Sequence, residues 1–156
     1  PGGPEISRLA EGGNSGVYPL PRPMLHSKDY AFSFAGLKTA VLYTAKKLGA
    51  LSDAQKSDIA REFQDAAVEV LIAKTLRACD EFEAKSVILG GGVSANTELR
   101  SVLAKKTSEK GLALFLPSIG LSTDNALMIA ISGFFGKPTE KPSEMKARGN
   151  WRITEK

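Results

Sequence analysis

A short apolar run, Ser86–Leu89, leads into three consecutive glycines and then into an amphipathic helical pattern that opens at Ser94. The run has the length and β-branched character of a buried strand, and the glycines allow a sharp turn at its end. Leu99, Val102 and Leu103 then recur at the spacing of one helix face. A strand that passes through a glycine turn into a helix is typical of α/β proteins, whose ligands bind at the carboxyl ends of the strands.

A second unit of the same kind follows. Ala113–Leu116 is a short apolar run closed by Pro117, and Asn125–Phe135 is a helical run for which Ser122–Asp124 supply a capping sequence. We expect the two strands to be parallel neighbours, because the helix between them makes a right-handed crossover.

The N-terminal half is predicted to be mostly helical. Pro4 begins a first helix that Gly12 and Gly13 end, and alternating prolines then exclude a helix or a central strand from residues 14–30. Three further elements are predicted: a strand over Ala31–Phe34, a helix over Leu37–Leu48, and a long helix over Ser57–Phe82 that Ser57 caps. Only Lys74 interrupts the apolar face of the long helix.

Composition excludes several classes of protein. The chain has 156 residues, of which 42% are hydrophobic and 24% charged, so it fits one globular domain rather than a disordered, collagen-like or disulfide-stapled chain. No apolar run is long enough to span a bilayer, and the first residues lack the pattern of a signal peptide. The single cysteine, Cys79, is predicted to be a buried helical residue in a reducing compartment, which favours the cytoplasm. The absence of an initial methionine suggests a fragment or a processed chain.

The segment Gly90–Asn96 carries the strongest chemical signal. Glycines let a backbone approach a phosphate closely, and the following helix presents free N–H groups. The Asn96 amide is able to hydrogen-bond the ribose or base of a nucleotide. A tight turn with Asn96 as the helix cap explains the same residues without a ligand. The segment matches neither GxGxxG nor GxxxxGK[ST], so Rossmann and Walker-type loops fit poorly.

Other polar residues are weaker candidates. Asp124 is either a helix cap or a metal ligand, since a carboxylate is a hard oxygen donor. Lys38 lies two residues after Gly36 and either meets an anion or is solvated, and His26 is alone in a proline-rich segment. The sequence contains no HExxH, no histidine pair and no GxSxG, so nothing in it supports a zinc protease or a triad hydrolase.

Four blocks, in a fixed order, closely resemble the tRNA threonylcarbamoyladenosine transferase family, once called glycoproteases: PGGPEISRLA, FSFAGLKTAV, ILGGGVSANTELR and STDNALMIA. The resemblance extends from Pro1 to about Phe135. It implies the C-terminal lobe of a two-lobed, actin-like ATPase (ribonuclease H-like) fold, an α/β lobe with a small mixed sheet flanked by helices. It also implies transfer of a threonylcarbamoyl group from its adenylate to the adenosine beside the anticodon of tRNAs that read codons starting with A.

The resemblance assigns nucleotide contacts to individual residues. Gly3 and Asn96 match positions that contact the bound nucleotide, and Gly91 and Gly92 lie in the same loop as Asn96. Ser7 stands at a position where some members carry a glutamate that contacts the nucleotide. We therefore expect the loop residues and Asn96 to line one concavity, with Gly3 at its rim.

The resemblance also assigns Asp124 as a ligand of a divalent metal ion, usually iron, at the rim of the same concavity. The family's other ligands are two histidines of an HxxxH helix in its N-terminal half, and His26 does not replace them. We therefore expect neither metal nor nucleotide to bind this chain tightly by itself, and we expect the chain alone to be inactive. Without a metal, Asp124 is predicted to cap its helix, accepting from N–H groups near Ala126 or Leu127.

The implied domain organisation is a C-terminal lobe over residues 1–136 and an irregular basic tail over residues 137–156, with the N-terminal lobe absent. Six basic residues make the tail a candidate tRNA-facing surface, the alternative being a solvated end: Lys137, Lys141, Lys146, Arg148, Arg152 and Lys156. The implied partners are tRNA, a degenerate paralogue and small ATPase subunits. The alternative functions are a related carbamoyltransferase lobe, a sugar-kinase-like lobe and a non-catalytic paralogue.

Overall fold

The computed structural model describes residues 2–136, 141 and 143. These residues include five α-helices and two β-strands, joined by turns and irregular segments. The helices are α1 (Gly2–Glu11), α2 (Ala35–Leu48), α3 (Asp53–Glu81), α4 (Thr97–Glu109) and α5 (Ala126–Phe135), and the strands are β1 (Ser86–Ile88) and β2 (Ala113–Phe115). Two compact units divide the chain, Pro1–Thr123 and Asp124–Lys156, and each is described by itself. Among the described helices, none is long and apolar enough to cross a membrane.

The two strands form the sheet that the glycine-turn pattern predicted. β1 and β2 are parallel, with Val87 opposite Leu114, which confirms the predicted pairing. These two side chains pack against a buried cluster that α3 and α4 supply: Val68, Ile72, Leu99 and Leu103. The α/β class is therefore confirmed. The predicted mixed sheet is wrong for the described residues, where the sheet consists of these two parallel strands.

The predicted strand over Ala31–Phe34 does not form. A strand needs a neighbour for its backbone groups, and here the carbonyl oxygen of Ala31 accepts a hydrogen bond from the Lys74 ammonium instead. The rings of Phe32 and Phe34 stack with centroids 6.4 Å apart. Alternation of small and aromatic residues indicated a strand, but side-chain contacts with α3 determine the conformation of this segment.

The long helix α3 begins at Asp53 rather than Ser57, because Ser52 makes a better cap. The Ser52 hydroxyl accepts from the N–H of Gln55, and the Gln55 side chain accepts from the N–H of Ser52, which satisfies two free donors at the helix start. The other N-terminal helices also start slightly earlier than predicted, α1 at Gly2 and α2 at Ala35.

Lys74, the one charged residue on the predicted apolar face of α3, is almost fully buried, with 1% of its surface exposed. Its ammonium donates to the Ser27 hydroxyl at 2.8 Å and to the Ala31 carbonyl, and lies 3.4 Å from an Asp29 carboxylate oxygen. A buried charge is tolerated only with such partners. Lys74 thereby attaches the proline-rich connection to α3. Cys79 is buried in the same helix, as predicted.

The start of the connection is attached to α3 through Glu62, a carboxylate that is only 3% exposed. It accepts hydrogen bonds from Arg22 and, at 2.8 Å, from the N–H of Gly16. Burial raises the pKa of Glu62, whereas the Arg22 and Gly16 hydrogen bonds lower it, and the balance leaves the pKa below its ordinary value. A carboxylate whose pKa is lowered by folding stabilises the folded state when it is ionised.

We expect Glu62→Gln to lower the free energy of unfolding at pH 7 and to have a smaller effect in acid. The stabilisation from Glu62 is complete above the ordinary glutamate pKa and is lost as the pH falls through the lowered folded value. Urea unfolding at pH 7 and at about pH 3 measures both differences. Glu109→Gln is the control, because Glu109 pairs with Lys106 at the exposed surface. Equal losses at both pH values would contradict the prediction.

At Gly13 the backbone passes so close to α3 that no side chain fits. A Cβ atom built there would lie 2.1 Å from the carbonyl oxygen of Ser57 and 2.8 Å from Cβ of Arg61. Because Gly13 lies just after α1, this contact determines the path of the chain from the end of α1 across the surface of α3. The predicted helix end at Gly12 and Gly13 is thus explained by packing against α3 as well as by turn preference.

We expect Gly13→Ala to destabilise the protein by about 3 kcal/mol, because the contact is with backbone and one of the two segments must move. Gly12→Ala is the matched control, since the nearest atom to a Cβ there is the Leu9 carbonyl oxygen at 4.0 Å. Urea unfolding compares the two variants with the wild type. A Gly13→Ala midpoint equal to that of Gly12→Ala would show that the close approach is not needed.

Candidate functional site

Asn96 is the residue at which α1, α3 and α4 meet. Its Oδ1 accepts from the N–H of Leu99 at 2.8 Å and so caps α4, as the turn interpretation predicted. Its Nδ2 donates to Gln64 Oε1 on α3 at 2.8 Å and to Ser7 Oγ on α1 at 3.0 Å. The capping and site interpretations of Asn96 are therefore compatible, because one amide serves the helix start and also joins two other helices.

Ser7 and Asn96 were both candidate residues, and the structure brings them into direct contact although 89 positions separate them in the chain. Gly3 lies one turn before Ser7 in α1, at the i, i+4 spacing that places two residues on the same helix face. Apart from its chain neighbours and the backbone of its own helix, no described residue has an atom within 4 Å of a Cβ built at Gly3, so the space beside it is open. The N-terminal block and the glycine loop thus belong to one region of the first unit.

The glycine loop runs from the end of β1 to Asn96. Gly91 has φ of 81°, a left-handed conformation that favours glycine, and its carbonyl oxygen accepts from the N–H of Ser94 at 2.9 Å. Apart from the adjacent residues in the chain, no described residue has an atom within 4 Å of a Cβ built at Gly91 or Gly92. Packing therefore does not require glycine at position 92. The open space beside the loop permits a ligand to approach its backbone closely.

Arg100 holds the loops that follow the two strands together. Its Nε donates to the Ser94 carbonyl in the loop after β1, and its Nη2 donates to the Pro117 carbonyl at 2.7 Å and to Ser122 Oγ at 3.2 Å in the loop after β2. A planar guanidinium with several donors is suited to such a bridge. Ser94 is fully buried, and its hydroxyl has no hydrogen-bond partner among the described residues.

Asp124 lies in the second unit and is not the cap of α5, which corrects the prediction for the metal-free chain. The cap is Asn125, whose side chain accepts from the N–H of Met128 at 3.0 Å. Asparagine and aspartate both cap helices well. Because α5 begins at Ala126, the residue at the N-cap position is Asn125. The Asp124 carboxylate is thus not used for capping.

The described residues do not make a metal centre by themselves. No three His, Cys, Asp or Glu side chains come together in this part of the chain in a way that could hold an ion. Stable sites for transition metals need several protein ligands. Asp124 can supply one of these ligands, and the described residues do not supply the others.

The remaining candidates lie in segments other than that of Asn96. Lys38 lies in the first turns of α2, and His26 lies in the irregular connection. Neither hydrogen-bonds Asn96. The tail over residues 137–156, with its candidate tRNA-facing surface, lies outside the described residues apart from Lys141 and Ser143.

Sequence reasoning missed two polar residues that shape this region, Gln64 and Arg100. Gln64 lies off the predicted apolar face of α3, and no local pattern distinguishes it from a solvated glutamine. Arg100 is the last residue of the block ILGGGVSANTELR, and its membership of that block was the signal that could have identified it as a site residue.

Comparison with known proteins agrees with the resemblance. The model of the TsaD family, described as tRNA N6-adenosine threonylcarbamoyltransferase, matches residues 1–131. Two curated proteins named tRNA N6-adenosine threonylcarbamoyltransferase are similar: one from Ralstonia pickettii (strain 12J), 51% identical over 138 residues, and one from Burkholderia mallei (strain ATCC 23344), 50% identical over 139 residues.

Each of these alignments covers 85% of this chain and 40% of the relative. The chain thus spans about 40% of the length of the curated relatives that it matches. The family match includes the glycine loop, Asn96 and the residues of α1 that contact it, as well as Asp124. On this evidence the chain belongs to the tRNA N6-adenosine threonylcarbamoyltransferase family.

Proposed function

We propose that the chain is the C-terminal part of a tRNA N6-adenosine threonylcarbamoyltransferase. The complete transferase moves a threonylcarbamoyl group from its adenylate to the adenosine beside the anticodon of tRNAs that read codons starting with A. Residues 1–136 form the C-terminal lobe of an actin-like fold, and residues 137–156 supply six basic residues that are a candidate tRNA-facing surface. The protein acts in the cytoplasm, together with a degenerate paralogue and small ATPase subunits.

The hydrogen bond between Ser7 and Asn96 is the observation that carries this proposal. The resemblance gave nucleotide contacts to both positions independently, from two blocks far apart in the chain. A shared site requires them to be neighbours, and their atoms are 3.0 Å apart. The open space beside Gly91 and Gly92 supports the same site, since a phosphate or ribose needs close access to the backbone.

Within this site the chain's own residues bind and orient the nucleotide. The glycine loop lets the ligand approach the backbone, and Asn96 and Ser7 offer polar atoms held by three helices. Asp124 supplies one ligand of a divalent metal ion, iron in our proposal, and the other ligands come from the N-terminal lobe. A bound metal would supply the positive charge that stabilises a negative charge developing on an acyl or phosphate group.

The proposal is tested by supplying the complete transferase, together with its paralogue and ATPase subunits, with threonylcarbamoyl-adenylate and two tRNAs, one that reads codons starting with A and one that does not. Mass spectrometry of the digested nucleosides measures the product. We expect threonylcarbamoyladenosine in the first tRNA only. No modified nucleoside, or equal modification of both tRNAs, would refute the proposed activity or its substrate.

A further inference from the structure

We infer that Gln64 is a positioning residue of this site, which together with the N–H of Leu99 holds the Asn96 amide in one orientation and so makes the Ser7 hydroxyl a donor to the ligand. The inference rests on the proposed function, because it concerns how the same nucleotide site is held. Gln64 belongs to none of the four sequence blocks that carry the resemblance.

The orientation of the Asn96 amide follows from its three contacts. The N–H of Leu99 needs an acceptor, so the atom facing α4 is Oδ1. The amino group must then face α3 and α1, where each of its two hydrogens has an acceptor, Gln64 Oε1 and Ser7 Oγ. Both donors of the Asn96 side chain are therefore used within the protein.

This arrangement determines what Ser7 offers a ligand. A hydroxyl is both a donor and an acceptor, and the Ser7 oxygen accepts from Asn96. Its own proton is bonded to no described residue, so it is available for an oxygen atom of the ligand. An ionised glutamate at this position, as in some relatives of the family, only accepts. In this chain the protein therefore donates a hydrogen bond to the ligand at a position where a glutamate would accept one.

Gln64 is suited to this role because water does not easily replace it. Its side chain is buried, with 8% of the residue exposed, and it comes from the middle of α3, which packs against α1 and α4. Without its oxygen, one hydrogen of the Asn96 amide loses its partner. The bond from Leu99 still holds Oδ1, but the amino group is no longer held in line with Ser7. The Ser7 hydroxyl then no longer has a fixed direction.

Binding of ATP to the complete transferase, measured by titration calorimetry, tests the inference with Gln64→Met, Ser7→Ala and the double variant. Methionine keeps the length of glutamine and removes the acceptor. We expect each single variant to weaken ATP binding about tenfold, the upper range for one neutral hydrogen bond. The double variant should be no weaker than either single one, because Gln64 acts through Ser7. A residue with a merely structural role would lower the melting temperature without this coupling.

Two outcomes overturn the inference: wild-type affinity in Gln64→Met, or losses that add in the double variant. If Gln64→Met does not fold, Gln64→Glu is the second test. It keeps an acceptor oxygen, so its affinity should stay within about threefold of the wild type, and a tenfold loss would overturn the inference. Failure of the proposed function is distinguishable, because it would appear as absence of threonylcarbamoyladenosine in tRNA treated with the wild-type transferase, whatever the ATP affinities of the variants.

Discussion

Replacing Asp124 by alanine in the complete transferase should abolish threonylcarbamoyl transfer and leave the free energy of unfolding within about 0.5 kcal/mol of the wild type. Activity is lost because the proposed metal site loses a ligand. Stability is retained because Asn125, not Asp124, caps α5. Nucleoside analysis of the tRNA product measures the first effect, and urea unfolding measures the second.

Asn125→Ala is the matched control and should give the opposite pattern. It removes the side chain that accepts from the N–H of Met128, so it should cost about 1 kcal/mol of stability. Transfer activity should largely remain, since the Asp124 carboxylate is still present. Activity in Asp124→Ala comparable to the wild type would remove Asp124 from the proposed machinery.

Asn96→Ala should give the largest combined loss, because one side chain serves the cap of α4 and the proposed nucleotide site. Loss of the cap costs about 1 kcal/mol, and the buried Gln64 oxygen left without its partner costs about 1–3 kcal/mol more. ATP affinity should fall by at least about tenfold, equivalent to about 1.4 kcal/mol. Thermal unfolding and titration calorimetry on the complete transferase measure the two effects.

Asn96→Asp separates the two roles. The aspartate keeps an oxygen for the N–H of Leu99, so the cap and most of the stability should remain. Its second oxygen cannot donate, so the Ser7 hydroxyl would donate to it and have no proton for the ligand. We expect a stability between those of Asn96→Ala and the wild type, because the cap remains while Gln64 Oε1 loses its donor, together with weakened ATP binding. Wild-type affinity in this variant would show that the direction of the hydrogen bond at Ser7 is unimportant.

The sequence by itself was enough for the elements whose signals are local. β1, β2 and their parallel pairing followed from two apolar runs with a helix between them, and the cap at Asn96 followed from the turn before α4. Family membership followed from four ordered blocks, and the match over residues 1–131 agrees with it. These features depend on neighbours in sequence, where residue type and spacing carry the information.

Only the tertiary structure decided the features that depend on distant partners. The segment Ala31–Phe34, predicted as a strand, is irregular because the Lys74 ammonium of α3 donates a hydrogen bond to the carbonyl oxygen of Ala31. Position 13 requires glycine because the backbone of Ser57 lies against it. The link from Asn96 to Ser7 and Gln64 joins residues 89 and 32 positions apart, which no local pattern reports. Burial and hydrogen bonding between distant segments cost or release more free energy than the local preferences of a short run, so packing determined these positions.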